Sequence, residues 1–534
     1  MLKYNDYYYY CVNIASWVLG LAAAVVWLWK IVRWAWVEPR RMEAFLRKQG
    51  LRGNPYTFLF GDANEIAHLY RQANAEPIDP SDDIVPRVMP FIKKTIQTYG
   101  KNAFAWIGPR ARIIISEPEL MRIVLNKHKT YQKNFRVSNK IIRLVVGGLV
   151  YYEGDEWKRS RMKLNPAFHL EKLKQMVPAM QSCTENILNQ WKSKIGGDGT
   201  CVVDVLHYLE DYSGTMVSKS LFHATYNDEM RRNFHYLRDL TIMTDTASKP
   251  LNFPGSEYFP SKTKRRAKEM EKEVRRSFTQ MIEQRLRDRR RSSSRGPNEG
   301  ADLLDFILDE LYELERRNSR VSNNKRKIME EAIAQTKLFY FAGFDTTSNL
   351  LVWTMITLAI HHNWQARARE EVLQVLGQNK ALTHHDLNEL KIVNMILLEV
   401  LRLYPPVMEL SRVVEEETQL GNLRIPKGVL LQLPIAMLHR DPQIWGEDAL
   451  EFRPDRFAEG SLKAANGQAA FLPFSWGPRI CIGQNFALLE GKAFVAHLLR
   501  TFSFELGPTY LHAPYAAFTV QPQFGAPLLL RKLY

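Results

Sequence analysis

The sequence predicts a mainly α (α+β) protein, in which one N-terminal transmembrane helix precedes a large helical domain with small β-sheets. Three patterns predict this class. An uncharged, mostly apolar run covers residues 7–29. Long helical patterns dominate the rest, most clearly the charged stretch Lys262–Arg291 and the stretch Ile328–Ile360, which is strongly apolar from Leu338 onward. Residues 407–432 combine β-branched runs with turn signals, which is typical of a small sheet.

The composition indicates a folded globular chain and excludes several other classes. The 534 residues are 46% hydrophobic and 24% charged, which is ordinary globular usage and excludes a disordered or low-complexity protein. Four cysteines are too few for a disulfide scaffold in a chain of this length, and they indicate a reducing compartment. The formal net charge of +16 suits an acidic protein partner, an anionic membrane surface or a nucleic acid, and does not choose among them.

The N-terminal run is long enough to span a membrane. Residues 7–29 lie between Asp6 and Lys30 and carry no charge. At ~1.5 Å per residue, a helix of this length covers roughly 35 Å, against ~30 Å for a hydrocarbon core. Basic residues are concentrated after the run, so the positive-inside rule places residues 1–6 in the lumen and the remainder in the cytosol. A cleaved signal peptide is the competing interpretation, since Ala22–Ala24 offer a small-residue site, but the apolar run continues beyond them.

The rest of the chain contains no Pro-, Gly- or Ser-rich linker that would divide it. We therefore expect a transmembrane anchor (7–29), a basic, Pro-containing linker (30–60) and one large domain (61–534). A helix over Leu390–Leu403 is predicted to end at the prolines that follow it. The basic cluster Lys264–Arg266 alternates with glutamates, so we interpret it as a solvated helix face and predict no binding of nucleic acid.

The most informative segment is the decapeptide FSWGPRICIG. Five of its positions match the pattern F-x-x-G-x-R-x-C-x-G, namely Phe474, Gly477, Arg479, Cys481 and Gly483. In this segment the chain resembles the haem-ligand loop of the cytochrome P-450 superfamily. The resemblance implies the cytochrome P-450 fold and a thiolate-ligated haem b, with Cys481 as the axial ligand of the iron and with Phe474 and Arg479 at the cofactor.

The chemistry of these residue types agrees with the resemblance. Cys481 has no second Cys or His at metal-binding spacing, so it cannot build a zinc site, but it can supply one axial thiolate. Gly477 and Gly483 allow a tight turn that brings amide N–H groups toward the sulfur. Arg479 can form charge-assisted hydrogen bonds with a haem propionate. A structural free thiol is the alternative, and we accept it for the other three cysteines, Cys11, Cys183 and Cys201.

A second motif lies inside the long apolar helix, at Ala342–Thr347. An acid followed by two hydroxyls is costly in a buried stretch unless it meets something polar there. A hydroxyl can bond the carbonyl four residues back and loosen the helix, and a kink without chemistry is the alternative interpretation. The resemblance implies two catalytic residues here: Thr346 hydrogen-bonds dioxygen above the iron, and Asp345 helps to relay protons.

Further residues follow from the resemblance. Trp157 and Arg161 match a W-x-x-x-R contact to one haem propionate, and Arg412 lies in the segment that passes the other. The resemblance also implies a buried structural network that holds the cysteine loop, formed by Glu399, Arg402 and Arg456.

Nearly the whole chain resembles one plant microsomal group of the superfamily, which includes secologanin synthase. Segments that fit this group are Trp36–Arg41, Leu46–Gly53, Asn165–His169 and Phe339–Gly343. At Phe344-Asp345 the group more often has Gln-Glu; the aspartate keeps the acid, whereas Phe344 is expected to alter the distal pocket.

The resemblance implies a membrane-anchored monooxygenase that uses O2 to oxidise an apolar small molecule, such as a plant terpenoid or a steroid- or hormone-like compound. No G-x-G-x-x-G motif follows a strand, so electrons are expected from an NADPH-dependent cytochrome P-450 reductase, with cytochrome b5 as a second donor. Candidate contacts for this partner are Lys158, Arg159 and Lys163.

The expected location is the endoplasmic reticulum membrane, with a single span and a cytosolic catalytic domain. The region 240–260 is expected to contribute to the substrate cavity. Two other functions stay open: a reductase-independent haem-thiolate isomerase or dehydratase acting on hydroperoxides, and a non-enzymatic haem-binding sensor.

Overall fold

One continuous helical stretch begins the chain. The computed structural model describes residues 2–133, 147–244, 262–291, 301–309, 324–377 and 380–533. Helix α1 (Leu2–Val32) continues through a π-helical turn (Arg33–Val37) into α2 (Glu38–Lys48). From Ile14 to Lys48 this helix is long and apolar enough to cross a membrane, and none of its most apolar stretch is buried in the protein. The predicted N-terminal apolar helix is confirmed.

Residues 30–60, predicted as a linker, are largely helical and pack against the domain. Pro39 lies at the start of α2, directly after the π-helical turn, and has no N–H to donate to the preceding turn of the helix. Leu46, further along α2, is fully buried. The N-terminal helix therefore continues into the domain without a break in helical structure.

The large domain consists mainly of helices. The first part contains α3 (Ala63–Ala73), α4 (Val85–Val88), α5 (Pro90–Tyr99), α6 (Pro118–Asn126), α7 (Gly154–Leu164), α8 (Leu170–Lys192), α9 (Val205–Phe222), α10 (Asp228–Thr244) and α11 (Lys262–Arg291). The second part contains α12 (Asn324–Ile360), α13 (His362–Leu376), α14 (His384–Glu389), α15 (Lys391–Leu403), α16 (Ile435–Leu438), α17 (Pro442–Trp445), α18 (Ser461–Ala464) and α19 (Gln484–Thr501). Most of the region 240–260, expected near the substrate, lies outside the described residues.

Hydrophobic patterning located the two longest helices of the domain. Helix α11 has the predicted bounds, with a buried apolar stripe on an otherwise charged surface. Helix α12 begins four residues earlier than predicted, at Asn324, and ends at Ile360 as predicted. Its second half is almost entirely buried, so α12 crosses the core. Leu390, the predicted first residue of α15, is its N-cap instead.

The described residues also form four small sheets. Their strands are β1 (Arg52–Gly53), β2 (Asn102–Ile107), β3 (Arg110–Ile115), β4 (Tyr131–Gln132), β5 (Thr200–Asp204), β6 (Leu410–Val414), β7 (Thr418–Leu420), β8 (Leu423–Ile425), β9 (Leu430–Leu433), β10 (Phe502–Leu506), β11 (Pro514–Ala516), β12 (Val520–Pro522) and β13 (Pro527–Lys532). The largest sheet has the mixed order β1-β2-β3-β9-β6-β4, with parallel pairs β1–β2 and β3–β9. Strands β10, β13 and β5 form the second sheet, and β7–β8 and β11–β12 are hairpins. The mainly α class with small sheets is confirmed.

Candidate active site

The cysteine loop is a compact turn that ends directly before α19. The backbone N–H of Cys481 donates to the carbonyl of Phe474 at 2.9 Å and closes the loop. Gly477 has a φ of +71°, and a Cβ there would stand 2.5 Å from Oδ1 of Asn126, so this position requires glycine. Gly483 has an ordinary φ of −90°. Of the two motif glycines, Gly477 is the one that makes the turn possible.

The thiol of Cys481 is accessible and yet surrounded by protein. Its side chain keeps accessible surface, yet burial is the main influence on the thiol and raises its pKa. The backbone N–H groups of Gly483 and Gln484 and the charges of Arg161 and Lys133 act in the opposite direction and lower this pKa. Amides and cations thus converge on the sulfur, an arrangement that stabilises a thiolate.

Helix α12 has one open face in an otherwise buried stretch. Phe339, Ala342 and Thr346 follow at spacings of three and four and share this face. Ala342 is exposed and Thr346 half-buried, although most of their neighbours in the helix are buried. The Thr346 hydroxyl donates to the Ala342 carbonyl at 2.7 Å, which leaves its lone pairs directed to the open side.

The open face of α12 is turned toward the cysteine loop. The ring of Phe339 stacks on Phe168 with centroids 5.9 Å apart. Phe168 in turn borders the loop, because a Cβ at Gly483 would stand 4.0 Å from its ring and 4.0 Å from Sγ of Cys481. Two accessible groups, the Cys481 thiol and the Thr346 hydroxyl, therefore line the space between α12 and the loop.

Phe344 does not lie on this open face. It is two residues from Thr346 and so points to another side of α12. Its ring is buried and stacks on Phe234 of α10 with centroids 4.0 Å apart. The side chain of Phe344 therefore joins two helices, and its effect on the distal pocket stays a prediction.

Asp345 is buried among polar partners. Its Oδ1 accepts from Nε and Nη2 of Arg238 at 3.1 and 3.0 Å, and its Oδ2 accepts from the Thr519 hydroxyl at 2.7 Å. Arg238 also pairs with Glu210 at 2.6 Å. Burial acts to lower the pKa of Arg238, but the two carboxylates outweigh it and the pKa is raised. Asp345 thus ties α12 to α10 and to the β11–β12 hairpin.

Arg479 and Trp157 meet beside the loop. The guanidinium of Arg479 lies 4.3 Å above the Trp157 ring, donates to the Tyr152 carbonyl at 2.9 Å and pairs with the Glu153 carboxylate. Arg161, one turn after Trp157 on α7, donates to the carbonyl of Ile480 at 2.8 Å, directly before Cys481. The predicted residues of α7 and of the loop are therefore brought together.

Two further members of this cluster are Lys133 and Glu153, which sequence reasoning missed. Burial, together with Arg412 and Arg479, lowers the pKa of Lys133 to about 7. Arg412 on β6 is also buried, which lowers its pKa to about 10, and Arg479 adds to this effect. Lys133 directly follows β4, which pairs with the strand of Arg412. Because β4 and β6 are far apart in the sequence, only their pairing in the fold shows that Lys133 belongs to this cluster.

These residues fit a haem. Among the described residues around Cys481, four cations share the site with the carboxylate of Glu153; they are Lys133, Arg161, Arg412 and Arg479. With Lys133 protonated, and after Glu153 and a Cys481 thiolate are counted, two positive charges remain, which matches the two propionates of a haem; bound propionates would themselves favour the protonated form of Lys133. The apolar rings of Phe168 and Phe339 lie beside the sulfur, where they would pack against the haem macrocycle.

The structure brings the residues of the predicted structural network together. Glu399 and Arg402 are fully buried and share two hydrogen bonds of 2.7 and 2.8 Å. Nε of Arg456 donates to Glu399 at 3.1 Å, and the N–H of Arg453 donates to the same carboxylate at 2.8 Å. Arg402 also donates to the carbonyl of His439 at 2.8 Å. The network ties α15 to the segment that leads into the cysteine loop.

Comparisons with known proteins agree with this geometry. A family model described as Cytochrome P450 matches residues 87–521. Secologanin synthase 2 from Catharanthus roseus is 43% identical over 521 residues, which cover 97% of this chain and 97% of the relative. A 7-deoxyloganic acid hydroxylase from the same plant is 44% identical, with 96% and 98% covered. Cytochrome P450 CYP72A219 from Panax ginseng is 43% identical, with 95% and 96% covered.

A solved structure supports the same fold. The retinoic acid-bound cyanobacterial CYP120A1 superposes with a TM-score of 0.70 over 90% of this chain and 99% of that chain, at 22% sequence identity. The chain therefore belongs to the cytochrome P450 family of haem-thiolate monooxygenases.

Proposed function

We propose that the protein is a membrane-anchored monooxygenase of the endoplasmic reticulum that hydroxylates or otherwise oxidises an apolar terpenoid, steroid-like or hormone-like molecule. The observation that carries the proposal is the pair of accessible groups, the Cys481 thiol and the Thr346 hydroxyl, on the two sides of the space between the cysteine loop and α12. The names of two relatives, secologanin synthase and 7-deoxyloganic acid hydroxylase, support terpenoid oxidation. The helix from Ile14 to Lys48 supports the membrane anchor.

Each residue of the site has a proposed role. Bound haem supplies the activation of O2 and the insertion of one oxygen atom. Cys481 would hold the haem iron through its thiolate, with Arg161 and two backbone amides stabilising the charge. Trp157 and Arg479, with Lys133 and Arg412, would hold the propionates; Phe474 closes the loop that carries the thiol.

On the α12 side, Thr346 and Asp345 are the proposed catalytic pair. Thr346 holds a water at Oγ1, since its own proton is engaged by the Ala342 carbonyl. Asp345 passes protons toward the cavity through the Thr519 hydroxyl, which it already contacts. Phe518, beside Thr519, is 42% exposed and its ring lies 5.4 Å from Phe341, an apolar wall that suits a terpenoid.

The first test of this function is the carbon-monoxide difference spectrum of reduced microsomes that contain the protein, followed by turnover with an NADPH-dependent reductase and a panel of terpenoids and steroids. A strongly red-shifted Soret band and NADPH-dependent oxidation are expected. Turnover of a hydroperoxide without NADPH would favour the isomerase or dehydratase function. Bound haem without any turnover of the panel would favour a sensor.

Thr346→Ala is expected to uncouple the reaction. The variant keeps the Cys481 loop and the haem spectrum, but it loses the hydroxyl that holds water in the cavity. Product formed per NADPH consumed should fall several-fold while hydrogen peroxide rises by a corresponding amount. Thr346→Ser, which retains a hydroxyl, is the control and should recover most of the coupling. Full coupling in Thr346→Ala would contradict the role of this residue.

Lys133→Met is expected to weaken haem binding. The methionine keeps an unbranched side chain but removes one of the cations proposed to meet a propionate. Loss of one charge-assisted contact of about 1.5–3 kcal/mol corresponds to roughly a 10- to 100-fold faster transfer of haem to an acceptor such as apomyoglobin. Lys133→Arg should restore slow transfer. Unchanged transfer in Lys133→Met would exclude Lys133 from the propionate contacts.

We further propose that α7 presents the docking face for the reductase, with cytochrome b5 as an alternative donor. Lys158 and Arg159 are exposed, and Lys163 is half-buried near the end of the same helix. Arg161, three residues after Lys158 on the same helix, contacts the residue before Cys481. A partner docked on this face would stand on the cysteine side of the site.

Charge reversal tests this face. Lys158→Glu with Arg159→Glu should lower the reductase-supported rate several-fold at low ionic strength, because attraction to an acidic partner becomes repulsion, and the difference should shrink in high salt. The matched control reverses two exposed cations of α11, Arg265→Glu and Lys268→Glu, and should leave the rate unchanged. Equal rates for the two double variants at every salt concentration would exclude α7 as the docking face.

A further inference from the structure

Where the anchor meets the domain, the helix contains a carbonyl without its usual intrahelical partner. Pro39 has no N–H and cannot donate to Ala35 four residues earlier, and its ring crowds that carbonyl. The π-helical turn Arg33–Val37 covers this position. Such turns are rare inside α-helices and are frequent at functional sites.

Tyr56 donates a hydrogen bond to the carbonyl that Pro39 cannot serve. Its hydroxyl donates to the Ala35 carbonyl at 2.6 Å and accepts from the backbone N–H of Leu59 at 3.0 Å. The ring is buried and lies 5.0 Å from Trp106 of β2. Burial raises the pKa of this phenol, so the donor proton is retained. One side chain therefore joins the end of the anchor, a surface loop and the largest sheet.

Helix α2 adds contacts that fix its direction. The N–H of Tyr56 donates to Oε2 of Glu43 at 3.2 Å, and Arg47 donates to the other oxygen of Glu43 at 3.1 Å. Arg47 also donates to the Gly53 carbonyl at 3.0 Å, and Leu46 is fully buried. Contacts along three successive turns, from Ala35 to Arg47, hold one helix against the domain.

An aromatic cluster is exposed at this junction. Trp36, Phe58 and Phe60, which we call the junction patch, are 42%, 49% and 44% exposed. The rings of Trp36 and Phe58 meet edge to face at 5.7 Å. Trp36 stands about one helical turn, ~6 Å, beyond the end of α1, so the patch lies at the level where the apolar helix ends. Exposed Arg33 and Arg40 flank it, and Arg40 lies 4.6 Å above the Trp36 ring.

We propose that the junction patch rests in the interfacial layer of the bilayer that α1 enters, and that Tyr56 fixes the anchor to the domain in the orientation that puts it there. The partner is a lipid surface: tryptophan and phenylalanine prefer the depth of the headgroups, and the flanking arginines suit lipid phosphates. This inference rests on the proposed membrane anchor, and it adds a second contact through the catalytic domain.

Site-directed spin labelling of the full-length holoenzyme tests the proposal. A nitroxide is placed at exposed Thr57, inside the patch, by Thr57→Cys in a background of Cys11→Ser and Cys201→Ser. The measurement is made in nanodiscs of phosphatidylcholine and phosphatidylserine. The ratio of the collision rate with oxygen to the collision rate with a water-soluble nickel complex should be several-fold higher at position 57 than at a reference label. Leu462→Cys, at a position that is 57% exposed on α18, is the reference.

Two variants test the two parts of the proposal separately: the contact of the junction patch with lipid, and the hydrogen bond from Tyr56 to Ala35. Phe58→Ser with Phe60→Ser should return the label at position 57 to aqueous accessibility, whereas Phe524→Ser, which removes a phenylalanine of similar exposure (48%), should not. Tyr56→Phe keeps the ring and removes only the hydroxyl; it should release the label from the lipid and broaden its depth distribution. The carbon-monoxide spectrum reports in every case that the domain is folded.

Different failures have different meanings. A chain that stays with the nanodiscs but shows aqueous accessibility at position 57 overturns the proposed lipid contact and leaves the anchor standing. An unchanged depth of the label in Tyr56→Phe overturns the proposed role of the Tyr56 hydroxyl in fixing the orientation. A chain that separates from the lipid altogether overturns the membrane anchor, and with it this inference.

Discussion

Replacing Cys481 by serine is expected to abolish the red-shifted Soret band of the reduced, carbon monoxide-bound protein and to reduce monooxygenase turnover below detection. Serine is close to cysteine in size, so the loop can keep its hydrogen bond from position 481 to Phe474. Its hydroxyl has no accessible anionic form at neutral pH and cannot push electron density to the iron as a thiolate does. The measurement is the difference spectrum of reduced microsomes, normalised to the amount of protein.

Cys201→Ser is the matched control for this loss. Cys201 is half-buried on β5, and its thiol lies 3.9 Å from the Trp191 carbonyl in a different part of the fold. This variant should retain the complete spectrum. An intact red-shifted band in Cys481→Ser, or its disappearance in Cys201→Ser, would mean that the ligand has been assigned to the wrong residue.

Removing the carboxylate of Glu399 is expected to have the largest effect on stability. Glu399→Ala leaves Arg402 and Arg456, both almost completely buried at the side chain, without their shared counter-ion. Breaking one side of a buried ion pair typically costs about 3–5 kcal/mol, because an uncompensated charge stays in the interior. The loss is measured as the shift of the urea midpoint, followed by far-ultraviolet circular dichroism.

Asp455→Ala is the control for this variant. Asp455 pairs with Arg367 at 3.2 Å close to the same network, but both side chains are about half exposed. Exposed pairs contribute about 0–1 kcal/mol, so the urea midpoint should scarcely move. Similar shifts for Glu399→Ala and Asp455→Ala would show that the buried carboxylate has no special role.

Local patterns predicted the parts of the molecule in which neighbours in sequence are also neighbours in space. The bounds of α11 follow from a periodic apolar stripe on a charged helix. Ala342–Thr347 was located by the cost of polar groups in an apolar stretch, and the structure shows Thr346 bonded to the carbonyl four residues back. The cysteine loop is recognisable because its shape depends on a few adjacent positions, above all Gly477.

Pairings between distant segments escaped prediction. Lys133 enters the cation cluster only because β4 pairs with β6. Glu153 precedes the recognised Trp157 by one turn, but nothing local indicates that it meets Arg479, 326 positions later. The contact of Phe344 with Phe234 on α10 is a further pairing of this kind, which the sequence around Phe344 does not indicate.

The sequence by itself determined the fold class, the apolar N-terminal helix and the cysteine that identifies the family, since helical periodicity, span length and a ten-residue loop are properties of continuous stretches. Only the tertiary structure decided which face of α12 is open, which cations surround the thiol, and how the N-terminal helix joins the domain through Tyr56 and Ala35. Those features arise from contacts between segments far apart in the chain, and the packing of the whole domain selects among the many pairings that local chemistry allows.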